Sequence, residues 1–115
     1  MKQFIYKNDK VKGVIRIIGK LLYFKVNNLQ YSSQVISQLE SKGAKIRVSP
    51  RSSWIEANIF GDNKIVKISG KEIDLDNITN EEIEDFLYKF YLIQYTKAGF
   101  KCEGIEDARN EWKNK

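Results

Sequence analysis

Three stretches in the first half of this chain alternate apolar and polar side chains residue by residue. In residues 20–26, Leu22, Phe24 and Val26 fall on one side, and Tyr23 and Lys25 on the other. In residues 44–48, Ala44, Ile46 and Val48 oppose Lys45 and Arg47. In residues 53–60, Ile55, Ala57 and Ile59 oppose Trp54, Glu56, Asn58 and Phe60. Successive side chains of a strand point to opposite faces, so a period of two describes a strand with one face buried and the other wet. The pattern predicts a largely antiparallel sheet whose aliphatic side meets helices while its other side stays open.

The remaining elements fit around that sheet. Phe4, Ile5 and Tyr6 mark a strand over residues 3–7, and Asn8-Asp9-Lys10 a turn. Residues 11–18 and 20–26 read as two strands joined by a tight hairpin near Gly19. Leu29, Val35, Ile36 and Leu39 space an amphipathic helix over residues 29–42, with Asn28 as its cap and Gly43 just past its end. Pro50 has no amide hydrogen to give a ladder, so Ser49-Pro50-Arg51-Ser52 breaks the sheet. Gly61-Asp62-Asn63 turns into a strand over residues 64–69, and residues 70–78 read as an acid-rich connector.

The clearest helix signal starts at Thr79. Thr79-Asn80-Glu81-Glu82 matches a capping box, and Ile78 and Ile83 are placed for a hydrophobic staple. The helix is expected to run to about Ala98 and stop at Gly99, with a short last helix over residues 105–113 docking Trp112. The 115 residues suffice for one domain with its own core. The expected fold over 1–115 is α+β: a largely antiparallel sheet of five to six strands in βββ-α-βββ-α order, helices on one face, and a short C-terminal helix.

The helix-strand-strand-strand-helix order of residues 29–96 has the element order of a double-stranded-RNA-binding domain. That module grips phosphates with basic residues at the start of its last helix, where this chain carries Glu81, Glu82, Glu84 and Asp85. The assignment is therefore rejected, and no family is proposed.

Several chemistries are excluded or unsupported. The chain has no His, which removes His-dependent triads and proton shuttles and the usual Cys/His zinc sites. Its single cysteine, Cys102, has no intrachain disulfide partner and reads as a small hydrophobe. Neither a Gly-rich phosphate loop nor a nucleophile elbow is present. Asp74-Leu75-Asp76-Asn77 opens like a calcium loop, but Thr79 stands where that loop needs Gly. No cofactor or metal is expected. The longest apolar runs, such as residues 21–24 and 90–93, fall far below the ~20 residues that span a bilayer. Residues 1–7 do not resemble a signal peptide. A cytoplasmic protein that engages no membrane is expected.

Charge divides the chain in two. Residues 1–69 hold thirteen Lys/Arg against four Asp/Glu, whereas residues 70–115 hold seven against eleven. With the aliphatic positions turned inward, the open face should collect Lys12, Arg16, Tyr23, Lys25, Lys45, Arg47, Trp54 and Phe60. Arg51 and Ser52 would sit in the loop at its rim. Cations neutralise phosphates and aromatic rings stack on unpaired bases, so the expectation is a non-catalytic binder of an anionic ligand, single-stranded nucleic acid or a nucleotide. An ordinary polar sheet face is the plainer account of the same residues, and a homodimer sealed by Trp54 and Phe60 is a further alternative.

Two other functions are weighed. Seven of the fourteen residues 72–85 are acidic, an arrangement suited to contact with a partner protein, as in a phage- or mobile-element-encoded inhibitor of host defence. Glu56 among Lys45, Arg47 and Arg51 would suit a metal-independent ribonuclease, with Glu56 as base and the cations on the phosphorane. A cross-strand ion pair accounts for Glu56 more simply.

Overall fold

In a computed structural model, residues 1–48 and 52–104 are described. The chain begins as a meander: β1 (Lys2–Lys7), β2 (Lys12–Ile18) and β3 (Leu21–Val26). Ile18 pairs with Leu21, so Gly19-Lys20 is a two-residue hairpin loop, and Gly19 takes the positive φ of 57° such a turn requires. Helix α1 (Leu29–Ser41) follows, its first turn closed by the Asn28 side chain, which accepts the Tyr31 amide at 2.9 Å. Next come β4 (Lys45–Val48), β5 (Ile55–Asn58), β6 (Ile65–Ile68) and β7 (Lys71–Asp74). Helix α2 (Asn80–Lys97) and β8 (Lys101–Gly104) complete the described chain.

Six strands form one antiparallel sheet in the order β4-β5-β3-β2-β1-β8, while β6 and β7 pair separately. The protein is thus α+β with a largely antiparallel sheet, and both helices pack on one face of it. Helix α1 covers β3 and β4, and α2 covers β1, β2 and β8. Between sheet and helices lies the main core of Phe4, Tyr6, Ile15, Ile17, Leu22, Phe24, Ala57 and Leu87. The Tyr6 ring stacks on Tyr95 at 4.2 Å and meets Phe100 edge-on at 5.2 Å. Its cross-strand partner is Gly13, where an added Cβ would lie 2.2 Å from Tyr6 Cζ. Glycine here leaves the space that the tyrosine ring fills.

The capping box forms as expected. Thr79 Oγ1 accepts the Glu82 amide at 3.1 Å, and the Thr79 amide donates to Glu82 Oε1 at 3.4 Å. Ile78 and Ile83 both join the core. The helix ends at an Ala98 cap, with Gly99 beyond it at φ 94°.

Glu84, one turn into α2, is buried and ties three elements together. It accepts the Gly19 amide at 2.7 Å and the Met1 ammonium at 2.8 Å. Burial alone would raise its pKa. The ammonium and the amide more than offset that, and the carboxyl sits below its usual range.

Three expectations need correction. The acid-rich connector contains a strand: β7 pairs back on β6 through a Ser69-Gly70 turn with both residues at positive φ. That pairing withdraws β6 from the main sheet, and the sixth strand is instead β8, which pairs with β1. Phe60 belongs to the main core and not to the open face. Strand β5 stops at Asn58, and the following turn, closed by the Gly61 amide on Asn58 O, swings Phe60 inward. The short helix expected over residues 105–113, with Trp112, lies outside the described residues, as does Arg51.

Candidate functional site

The register converts the open face into rows of side chains running across the strands. One row is Lys45, Asn58, Leu21 and Ile18. The next is Arg47, Glu56, Tyr23, Arg16 and Gln3, spanning five strands. A third holds Lys25, Val14, Ile5 and Glu103. The last is Lys12, Lys7 and Lys101 on three adjacent strands. Among the described residues, the ladder positions therefore place seven cations and two carboxylates on this face.

At its centre is a small apolar island. Val14 and Ile5 are 0% and 3% exposed although they point away from the helices, and Trp54 packs against them. The Trp54 amide donates to Ser52 Oγ at 3.1 Å, so the loop hydroxyl orients the residue that leads into β5. Above the indole lie the Arg16 guanidinium, 4.6 Å from the ring centroid, and Lys25 Nζ at 5.9 Å. Such cation–π contacts contribute about 0.5–1 kcal/mol at exposed sites. Arg16 Nε also donates to Gln3 Oε1 at 3.3 Å. Burial holds the Lys25 ammonium below its usual pKa.

The expected residues thus divide. Lys12, Arg16, Tyr23, Lys25, Lys45 and Arg47 share the open face, with Trp54 over it and Ser52 at the loop beside it. Lys45 forms an exposed ion pair with Asp62. Tyr23 donates its hydroxyl to Glu56 Oε1 at 2.9 Å, and Arg47 stands opposite Glu56 in the ladder. Burial, then the bond to Glu56, pushes the Tyr23 phenol up. Trp54 is therefore first a scaffold that holds two cations in place. Arg16 stacked on it presents a guanidinium plane, a group on which bases also stack. Lys7 and Lys101 were missed: Lys7 ends its strand, and Lys101 sits on a strand too short to announce itself.

The acidic stretch is largely engaged within the fold. Glu84 is buried, Glu82 closes the capping box, and Asp85 pairs with Lys2 at 3.2 Å. Asp74 accepts from the Asp76 amide and the Asn77 side chain, and Glu72 faces Lys67 across the hairpin. Among the described residues, no group of His, Cys, Asp and Glu is placed to hold a metal ion, and no helix is long and apolar enough to cross a membrane. A cleft of about 300 Å³ separates the helices, lined mainly by Tyr31, Val35, Leu39, Tyr91 and Tyr95.

No family model, no curated protein and no solved structure matches the chain.

Proposed function

We propose that this protein is a non-catalytic binder of an anionic ligand, single-stranded nucleic acid or a nucleotide, and that the open face of the six-stranded sheet is its binding surface. The observation that carries this reading is the charge of the face: among the described residues its ladder positions hold seven cations against two carboxylates, with Arg16 and Lys25 over the Trp54 ring. Phosphates are drawn to Arg16, Lys25 and Arg47, and bases stack on the Arg16–Trp54 pair and on Tyr23. The acidic stretch, with its partners inside the fold, offers less for a partner protein to grip.

The test is a fluorescence titration with oligothymidine at two salt concentrations, in a Trp112→Phe background so that Trp54 reports alone. Quenching that weakens steeply with salt supports the reading, because released counterions make phosphate binding salt-dependent. Absent quenching, or binding indifferent to salt, counts against it.

A further inference from the structure

Of the two carboxylates in the ladder rows of the open face, Glu103 lies on the edge strand β8 and is exposed. Glu56 lies inside the face, half-buried on β5 between β4 and β3. Its row reads Arg47, Glu56, Tyr23, Arg16. A negative group at this place weakens the pull on a phosphate, so phosphate binding does not account for it. A cross-strand ion pair does not account for it either. Arg47 stands opposite in the ladder, but among the described residues no ion pair joins the two. The Tyr23 hydroxyl donates to Glu56 Oε1 at 2.9 Å, which ties the carboxylate to the strand beside Arg16. A carboxylate has about four lone-pair sites on its two oxygens, so both oxygens can still accept.

The Watson–Crick edges of the bases differ in what they offer such a group. Guanine presents two adjacent donors, N1–H and the N2 amino group, which match the two oxygens of one carboxylate. Thymine and uracil set a single N3–H between two carbonyl oxygens. Adenine and cytosine place a ring-nitrogen acceptor beside the amino group, and that acceptor repels a carboxylate. Unpaired bases are read on this edge while their faces stack on aromatic rings or a guanidinium plane. Both kinds of stacking group are close by. Tyr23 is one strand spacing from Glu56, about 4.8 Å, and Arg16 is two.

Resting on the binding reading above, we infer that the ligand carries a guanine, and that Glu56 accepts its N1–H and N2 amino group as the residue that sets base specificity. The cations of the face hold the phosphates, and Glu56 selects the base.

The experiment compares fluorescein-labelled oligothymidines of about nine nucleotides by anisotropy, within the ~4–16 that one strand-binding fold occupies. The central base is thymine, guanine, adenine, cytosine or hypoxanthine, which is guanine without its N2 amino group. The parent is expected to bind the guanine strand at least about five-fold tighter than the thymine strand, the lower end for a two-bond base contact. Hypoxanthine loses most of that gain, and adenine and cytosine show none. Glu56→Gln keeps the size of the side chain but turns an NH2 toward one guanine donor. It loses the guanine preference and binds the all-thymine strand at least as tightly as the parent. Glu103→Gln removes the same charge from the face and keeps the preference. Competition with unlabelled guanosine monophosphate separates the two sources of guanine. Displacement as effective as by the unlabelled strand assigns a free nucleotide, and weaker displacement assigns a strand.

Equal binding of the guanine, hypoxanthine and thymine strands by the parent overturns the guanine reading and leaves the binding face standing. That comparison needs no variant, so it holds whatever the stability of Glu56→Gln. A guanine preference that survives in Glu56→Gln overturns the role of Glu56 in the same way. A parent that binds neither strand nor nucleotide removes the binding reading itself, and this inference with it.

Discussion

The two faces of one sheet are built from the same strands and follow opposite rules. Toward the helices, Phe4, Tyr6, Ile15, Ile17, Leu22, Phe24 and Ala57 are at most 2% exposed and interdigitate with α1 and α2. On the other side, among the described residues, Ile5 and Val14 form a small buried cluster of their own, and the indole of Trp54 packs against it. The first face supplies the apolar burial that folds the chain. The second needs no such burial, so its positions are free to carry charge. That contrast explains why a chain with net charge +5 concentrates cations where packing makes the smallest demand.

Substitutions should separate the two faces by the size of their effect. Gly13→Ala, beneath the Tyr6 ring, is expected to cost about 3 kcal/mol or to prevent folding, as read by urea denaturation. Equal stability of this variant would break the account of the helix side. Glu84→Gln is expected to cost about 2 kcal/mol, because the Met1 ammonium loses its charged acceptor while the Gly19 amide keeps a weaker one. The carboxyl's pKa is lowered in the folded protein. Its contribution is therefore present above the ordinary carboxylate range and is lost as pH falls through the folded value. Denaturation midpoints should drop below about pH 4 in the parent, and fall less in the variant.

On the open face the effects shrink. Trp54→Ala uncovers Ile5 and Val14 but starts from a half-exposed ring, so about 1–2 kcal/mol is expected in thermal melts. Asp62→Asn, which breaks the exposed pair with Lys45, should change stability by less than about 0.5 kcal/mol. A large loss there would show that the charged side also holds the fold together.

Much of this contrast was legible in the residues. Alternation assigned Tyr23, Lys25, Lys45, Arg47, Glu56 and Trp54 to the open face, and the Thr79 capping box located α2. The misses share a cause: alternation says which side a residue takes only while the strand lasts. It was carried past Asn58, where a turn sends Phe60 inward. Lys71–Asp74 resembled a solvated connector because its two acids outnumber its one apolar residue, Ile73, which is buried. Lys101–Gly104 has one half-buried side chain, Cys102, and is held in the sheet by ladder bonds to β1. Ladder partners leave little trace in composition. The lysine row stayed hidden for the same reason, since it exists only once β8 is placed beside β1.

The most direct measurement is a map of amide and indole NMR shifts during titration with oligothymidine. The account predicts changes at Lys7, Arg16, Tyr23, Lys25 and the Trp54 ring, with the helices quiet. Shifts gathered instead around Tyr31, Leu39 and Tyr91 in the cleft between the helices, or none at saturating strand, would contradict it.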